Sequence, residues 1–493
     1  MRSSPMQKSP LPYSLCTAAW LALLMASSTL AGDWSQWRGT LRNGVATAGP
    51  PVIHQLPANG LEPVWMATTE LSSAAGGGWS SPVVSNGRVY LFTHKKSKAV
   101  DGPLPPKKYP YLPPEQRTGM SDEEYAKYEQ NRRDEDERRA KRFRFDEITY
   151  CLDAATGKVL WSNTRESVYT RFPQSGTPAI VQQRVYLLGA GRVARCLDAT
   201  TGEVIWQQQL PGDFRDEFLQ SSFALADGVA MVLCGHMFGL DAQTGNILWQ
   251  SEEKKANGHC SPVIWEHADK PYCIVNVGGQ TACFAPRTGK ELWRVSSQGG
   301  HSTPVIVGDQ MITYGNSRKS GLRCYRLSPE AAEHEWTFTG TGDSGSSPVV
   351  VNGRVYVQGE KRLACVRLAD GKREWQTTLD IARPRYTSLV AVDDVVLYTF
   401  DGVLAFSSTD DRFQQLMNAK IDKNGLLAEE ATFREQMNLD ELERTAEGQK
   451  ESEKLWRKRF GGGGVLTCAS PAIADGKLYI RLKNGLACYN LAK

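Results

Sequence analysis

Eight polar or aromatic residues lie just before short segments, mostly rich in Ser and Thr, that recur along this chain of 493 residues. They are Trp79, Gln174, Gln220, His259, His301, Asp343, Arg385 and Tyr386. Gathered at one opening, such side chains could hold a small ligand through hydrogen bonds and stacking. His259 and His301 stand at matching places and could form a general-base or metal-binding pair. Two histidines without an evident third ligand do not define a metal site, so we predict no bound metal and assign no catalytic residue.

The segments that follow these residues begin repeated hairpins. They are SSPVV (80–84), GTPAI (176–180), SSFAL (221–225), CSPVI (260–264), STPVI (302–306), SSPVV (346–350), TSLVA (387–391) and ASPAI (470–474). A turn and a second apolar run follow, as in RVYLF (88–92) and RVYLL (184–188). Short β-branched and aromatic runs separated by tight turns predict antiparallel strands.

A second recurring phrase is LDATTGEVIW (197–206), which returns as LDAATGKVLW (152–161) and LDAQTGNILW (240–249). Asp and Thr can satisfy backbone groups in a turn, and Gly supplies a positive φ that other residues resist. The Trp that closes the phrase recurs at 161, 206, 249, 293, 336 and 375, at intervals of 45, 43, 44, 43 and 39 residues. This period is typical of a four-stranded propeller blade.

The eight segment starts predict an all-β, eight-bladed propeller. We assign Trp456 as the Trp of the seventh blade, because it lies 14 residues before Ser470. The eighth blade lacks a final strand, since the chain ends at 493, and LEPVWMA (61–67) with Trp65 is predicted to supply it. The N-terminal strand would then close the ring and cover the last free sheet edge.

The repeated phrase resembles the repeat of the quinoprotein (pyrroloquinoline quinone, PQQ) dehydrogenase propellers. It also resembles the cofactor-free lipoprotein scaffold of the outer-membrane β-barrel assembly machinery. DWSQWRGTLRNGV (33–45) is similar to the opening of exported PQQ-like propeller proteins of planctomycete bacteria. The resemblance implies the fold, whereas the shared residues build blades rather than a site.

Two insertions are predicted within the propeller, which should span 32–493. The first, 94–146 in blade 1, has a Pro-rich half (102–114) and a charged helix opened by a Ser121/Glu124 capping box. The second, 408–454 in blade 7, should replace the polar turn, and Phe413, Leu416, Met417 and Ile421 have helical spacing there. Either insertion could bind a partner or simply decorate the surface.

Residues 1–31 have the pattern of a cleaved secretory signal, with Arg2 and Lys8 before the apolar stretch 15–25 and a small-residue site at 29–31. We therefore expect an exported monomer, in the periplasm or cell envelope, without a transmembrane segment after cleavage. Balanced charge, with 58 basic and 54 acidic residues, argues against a nucleic-acid partner.

Ten cysteines follow the signal, and six occupy one repeated position: Cys151, Cys196, Cys283, Cys324, Cys365 and Cys488. A small residue repeated once per blade indicates packing, so mostly free, buried thiols are expected. Cys234, Cys260, Cys273 and Cys468 are the ones that could pair.

Three functional hypotheses remain open. The first is a non-catalytic scaffold that binds a protein or a small molecule at the channel mouth. The second is a PQQ-dependent oxidoreductase for an alcohol or sugar, with PQQ and Ca²⁺ in the channel. The sequence has neither the Cys-Cys pair nor the Cys-x-x-Cys-His motif that the dehydrogenase resemblance suggests. The third is a carbohydrate-binding propeller that stacks glycans on Trp79 and Tyr386.

Overall fold

The computed structural model describes residues 1, 32–74, 78–170, 175–212, 221–252, 259–343, 345–381 and 386–493. Its strands form eight antiparallel sheets that succeed one another around a ring, which confirms the predicted eight-bladed propeller. The predicted signal, 1–31, lies outside the described residues except for Met1. Among the helices described, none is long and apolar enough to cross a membrane.

In blades 1 to 4 the strands follow one another along the chain from the innermost to the outermost. Blade 1 has β2 (Val83–Ser85), β3 (Arg88–Lys98), β4 (Phe143–Asp153) and β5 (Val159–Glu166). Blade 2 has β6 (Ala179–Val181), β7 (Arg184–Gly189), β8 (Val193–Asp198) and β9 (Val204–Gln209). Blade 3 has β10 (Ala224–Ala226), β11 (Val229–Cys234), β12 (His236–Asp241) and β13 (Ile247–Gln250). Blade 4 has β14 (Val263–His267), β15 (Lys270–Val277), β16 (Gln280–Phe284) and β17 (Glu291–Ser296).

Blades 5 to 8 are also built from the innermost strand outward. Blade 5 has β18 (Val305–Val307), β19 (Gln310–Tyr314), β20 (Leu322–Leu327) and β21 (Ala332–Phe338). Blade 6 has β22 (Val349–Val351), β23 (Arg354–Gly359), β24 (Arg362–Arg367) and β25 (Arg373–Thr378). Blade 7 has β26 (Val390–Val392), β27 (Val395–Thr399), β28 (Gly402–Ser407), β29 (Gln415–Ile421) and a fifth strand, β30 (Leu427–Glu429). Blade 8 has β31 (Ala472–Ala474), β32 (Lys477–Leu482), β33 (Gly485–Asn490) and the N-terminal β1 (Trp65–Ala67).

The N-terminal strand closes the ring as predicted. Strand β1 pairs antiparallel with β33, with Trp65 opposite Cys488. The Trp65 indole Nε1 then donates to the Ala154 carbonyl of blade 1 at 3.0 Å. Blade 8 therefore combines β1 with the last three strands of the chain, and the Trp65 hydrogen bond joins it to blade 1.

The repeated phrase builds the contact between neighbouring blades. Trp161 of blade 1 lies against the turn of blade 2, where a Cβ added at Gly202 would come within 2.5 Å of the indole. Trp161 Nε1, the Tyr90 hydroxyl and Arg88 Nη1 all donate to the Ala199 carbonyl, at 3.2, 3.1 and 3.0 Å. Blades 2 and 3 repeat this contact with Trp206, Tyr186 and Arg184 on the Ala242 carbonyl. The recurring Arg-Val-Tyr and Trp thus act together on one carbonyl of the next blade.

The repeated cysteine position is explained by the same tryptophan. In every blade but the seventh the small residue pairs across the ladder with Trp, as Cys196 does with Trp206. In blade 3 this place is Gly239, where an added Cβ would lie 2.1 Å from the Trp249 ring. The ten described cysteines are free thiols, nine of them buried, and burial raises the Cys151 pKa to about 11.

The first insertion is an ordered arm of two packed segments. Strands β3 and β4 form an 11-residue ladder that ends at the pair Lys98 and Phe143, and the arm lies between these ends. Helix α1 (Asp122–Ala140) begins with the predicted Ser121/Glu124 capping box. The Pro-rich segment packs along α1, since Lys108 N and Tyr109 N donate to Glu135 and the Tyr109 and Tyr128 rings lie 5.4 Å apart. A 3₁₀ turn, Pro114–Arg117, connects the two parts.

The second insertion differs from the prediction. The expected helix around Phe413–Ile421 is strand β29, in which Met417, Ala419 and Ile421 alternate into the core. Met417 pairs with Ala405 and holds the place that Trp has in other blades. Two apolar residues in succession, Leu416 and Met417, fit a helical as well as an alternating pattern, and pairing with β28 decides between them.

Helices follow β30: α2 (Glu430–Gln436), α3 (Leu439–Leu442) and α4 (Ala446–Phe460). The assignment of Trp456 to the seventh blade is therefore wrong, because it lies on α4 and packs against Phe460 with ring centroids 4.4 Å apart. Asp422 is buried and pairs with Arg459 of α4 at 2.5 Å, which ties the helices to blade 7.

Candidate functional site at the channel mouth

A ring of hydroxyl groups surrounds the channel just below the mouth residues. In each link a backbone N–H of one blade donates to a Ser or Thr hydroxyl of the next. The links are Ser470 to Ser81, Ser81 to Thr177, Thr177 to Ser222, Ser222 to Ser261, Ser261 to Thr303, Thr303 to Ser347 and Ser347 to Ser388, at 2.9–3.1 Å. The Ser and Thr of the recurring segments therefore hold the innermost strands together, rather than marking a nucleophile.

The N-terminal segment 33–46 fills the channel on the other side of this ring. Asp33 accepts from Ser85 Oγ and Asn86 N at the far end of blade 1. Trp34, 1 % exposed, exchanges backbone hydrogen bonds with Val84, and Val45 bridges to Ala391 of blade 7. Because the innermost strands of blades on several sides contact it, the segment crosses the channel and closes its far end.

Two arginines of this segment bridge blades from inside the channel. Arg42 Nη1 donates to the Ser222 and Pro262 carbonyls of blades 3 and 4, at 3.3 and 3.0 Å. Arg38 Nη2 donates to the Pro348 and Leu389 carbonyls of blades 6 and 7. Both side chains are at most 3 % exposed, and burial lowers each pKa to about 9, so they stay protonated at neutral pH. Carbonyl dipoles take the place of a carboxylate partner.

The structure brings His259 and His301 together above the hydroxyl ring. Their ring centroids lie 4.6 Å apart and the rings are perpendicular. Burial, and then the neighbouring His301, lower the pKa of His259 to about 4, and burial also lowers the pKa of His301. Both imidazoles are therefore neutral at pH 7 and can exchange hydrogen bonds with a neutral ligand.

Asp343 and Tyr386 both contact the loop around Gly345. Asp343 Oδ1 accepts from Gly345 N and Ser346 N, at 2.9 and 2.7 Å, and so caps its own loop. A Cβ added at Gly345 would lie 2.9 Å from Tyr386, so the tyrosine ring covers this loop. Tyr386 is 49 % exposed and has a φ of 62°, a strained conformation for a large side chain.

Of the remaining mouth residues, the structure describes Trp79, whose contacts lie elsewhere. Trp79 donates to the Ala74 carbonyl at 3.2 Å and packs against Leu466 and Ala469 at the junction with blade 8. Gln174, Gln220 and Arg385 lie outside the described residues. A ligand role for any of the eight mouth residues stays a prediction.

Blades 4 to 7 each place one buried polar side chain below the mouth, and the sequence analysis did not predict this layer. Asn276 Nδ2 donates to the Ser302 carbonyl at 2.6 Å, and Gln358 Nε2 donates to the Thr387 carbonyl at 3.1 Å. Tyr314 and Thr399, at the same end of their strands, donate to the next blade in the same way. The signal was a polar residue closing the second strand in four successive repeats, blades 4 to 7.

Asp343 is the one carboxylate among the eight predicted mouth residues, and a Ca²⁺ ion would need such an oxygen ligand. Its Oδ1 already accepts two backbone N–H groups of its own loop. Within the described ranges, no three His, Cys, Asp or Glu side chains are grouped closely enough for a metal.

The histidine pair predicts an acid-sensitive component of stability. Because the His259 pKa is about 4 when folded and 6.5 otherwise, stability is complete above pH 6.5 and is lost as the pH falls toward 4, by at most about 3 kcal/mol. His259→Gln should therefore flatten the melting temperature between pH 6.5 and 4.5, measured by calorimetry. His334→Gln, which replaces an exposed histidine on β21, is the control. An identical dependence of melting temperature on pH for wild type and His259→Gln would contradict the prediction.

Fold and channel together define an eight-bladed propeller of PQQ-like repeats. The family model described as outer membrane protein assembly factor BamB matches residues 144–264 and 240–424, more than half of the chain. The chain therefore belongs to this family. No curated protein has a sequence that matches it.

One solved structure supports the fold, and a second is similar to this chain at a lower TM-score. Quinohemoprotein alcohol dehydrogenase from Comamonas testosteroni is 11 % identical, with a TM-score of 0.54 over 94 % of this chain and 82 % of that chain. BamB from Moraxella catarrhalis is 14 % identical, with a TM-score of 0.48 over 69 % of this chain and 88 % of that chain. At these identities the similarity concerns the fold alone.

Proposed function

We propose that this protein is an exported, non-catalytic propeller that acts as a binding and assembly scaffold at the cell envelope. The observation that carries the proposal is the channel itself, which segment 33–46 occupies with two buried, blade-bridging arginines. Segment 33–46 thus occupies the space along the channel axis and stabilises the ring of blades. The description of the family as an assembly factor and the secretory pattern of residues 1–31 support the same function.

The first arm is the candidate contact for a partner. The arm extends from the end of the β3–β4 ladder. Contacts within the arm hold its shape, such as the hydrogen bond that the Tyr128 hydroxyl donates to the Pro110 carbonyl at 2.8 Å. Tyr111, 60 % exposed, provides an aromatic contact on its surface. An arm that is already ordered loses little conformational entropy on binding.

Two measurements test the proposal. The purified protein is titrated with PQQ, with and without Ca²⁺, while Trp fluorescence and dye-coupled alcohol oxidation are followed. Saturable binding with turnover would show that the scaffold proposal is wrong. In native cells, a photo-crosslinking residue at Tyr111 should give a discrete product with an envelope protein, and the same residue at Gln376 on β25 is the control. Replacing 99–142 by a short Gly-Ser linker should abolish assembly with that protein.

A further inference from the structure

Four consecutive blades expose an aliphatic side chain at one position, which lies in the outermost strand or, in blade 8, directly before it. The position directly precedes the docked Trp, and its residues are Val64, Leu160, Ile205 and Leu248, in blades 8, 1, 2 and 3, at 48, 48, 41 and 50 % exposure. In blade 2 the neighbouring Val204 is exposed as well, at 46 %. We call these five residues the aliphatic rim. Blade 2 therefore exposes two neighbouring aliphatic residues on one strand, and exposed apolar side chains that adjoin one another are a feature of interaction surfaces.

The rim ends where charged residues begin. In blades 5 and 6 the equivalent residues are Glu335 and Glu374, and in blade 4 Leu292 lies between Glu291 and Arg294, which pair with each other at 2.6 Å. Charged side chains on an outermost strand prevent other chains from pairing with it. Strand β9, Val204–Gln209, has no charged residue at all, and neither has β13, Ile247–Gln250. These two edges lack the protection that blades 4 to 6 possess.

The backbone of these edges is also available. Strands β5, β9 and β13 are the last members of their sheets among the described residues. In blade 7, by contrast, the chain covers its own edge: β30 pairs with β29 through Ala419–Glu429, Lys420–Ala428 and Ile421–Leu427. Blade 7 thus shows that the outer edge of a blade accepts one more antiparallel strand in this protein.

We propose that the outer edge of blade 2 binds an extended, uncharged segment of a partner protein, which adds to β9 as a fifth strand. This inference rests on the proposed scaffold function and names the surface and the partner chemistry. Ile205 has no partner in the ladder, because a β-bulge sets Val204 opposite Leu197 and Trp206 opposite Cys196, and at 41 % exposure its side chain can contact an apolar residue of the segment. Backbone hydrogen bonds provide affinity, and Val204 and Ile205 select apolar over charged residues, which would lose hydration there.

The test uses a defined peptide with the full-length mature protein. The probe is a fluorescein-labelled peptide of alternating Thr and Val, flanked by Gly-Lys for solubility, and binding is followed by anisotropy up to about 1 mM peptide. Ile205→Lys introduces the type of residue that protects edge strands, and should weaken binding roughly tenfold or more. Gln376→Lys adds the same charge to the edge of blade 6 and should leave the affinity unchanged. Equal melting temperatures of both variants verify folding.

A second probe separates strand addition from apolar adhesion. The same peptide, N-methylated at alternate amides, retains its side chains but cannot form the ladder, so it should not bind, and hydrogen exchange of β9 amides should slow only with the unmodified peptide. No anisotropy change up to the highest concentration, or equal binding by Ile205→Lys, would overturn the proposal. So would equal binding of the methylated peptide, or a wild-type dimer that Ile205→Lys dissociates, which would identify a second copy as the occupant.

The two proposals can fail separately. If the peptide does not bind but the Tyr111 crosslink persists, the rim proposal is wrong and the scaffold proposal stands. If PQQ turnover is found while the peptide binds β9, the scaffold proposal is wrong and the rim proposal stands.

Discussion

Replacing Arg38 and Arg42 together by alanine should lower the free energy of unfolding by about 4–8 kcal/mol. Each guanidinium joins carbonyls of two blades and is at most 3 % exposed. Loss of a charged hydrogen-bond partner leaves buried carbonyls unpaired, and the removed side chains leave a cavity. Denaturant unfolding followed by Trp fluorescence measures the effect.

The same experiment has two further comparisons. Replacing both arginines by Met retains most of the side-chain volume and removes the charge, so its loss should be smaller than that of the alanine pair. Arg287→Ala removes a guanidinium that is 73 % exposed and should change stability by less than about 1 kcal/mol. Acrylamide should quench the fluorescence of Trp34, which is 1 % exposed, only in the variant with both arginines replaced by alanine. A stability equal to that of Arg287→Ala would show that segment 33–46 does not brace the ring.

Replacing Gly202 by alanine should lower the free energy of unfolding by about 3–5 kcal/mol. Gly202 has a φ of +77°, and a Cβ there would lie 2.5 Å from the Trp161 ring. The left-handed conformation costs only about 1–2 kcal/mol, so most of the loss comes from displacing the indole that joins blades 1 and 2.

Gly228 provides a matched control in the adjacent blade. Its φ is +76°, almost the same, but nothing lies within 4 Å of an added Cβ. Gly228→Ala therefore measures the backbone strain alone, and the difference between the two variants isolates the Trp contact. Thermal unfolding of both variants under identical conditions gives this difference. If Gly202→Ala and Gly228→Ala have equal melting temperatures, the Trp contact does not join the blades.

The elements that were predicted correctly depend on local information. A hairpin is specified by a turn and two alternating runs, so each recurrence of LDATTGEVIW could be recognised within ten residues. The number of blades follows from counting segment starts. The seventh blade was misread because Met417 replaces Trp there, and Trp456, at a plausible distance, belongs to a helix.

The site was predictable only in part. Matching places in the repeat put His259 and His301 on adjacent blades, and the structure joins them at 4.6 Å. The spacing carried no information about Asp343, whose carboxylate caps its own loop. Nor could it place Arg38 and Arg42, because the partners of a segment that crosses the channel come from blades 180 to 351 residues away.

The sequence by itself determined the repeat, the eight blades and their closure by residues 61–67, because strands within a blade pair with their neighbours in the chain. Only the tertiary structure decided what fills the channel, which blades expose the aliphatic rim and where the second insertion becomes helical. The first depends on contacts between blades far apart in sequence, and the other two depend on how strands pair and which strand edges stay uncovered. A repeated pattern specifies each blade. The structural effect of a departure from the pattern depends on the position of its blade in the ring.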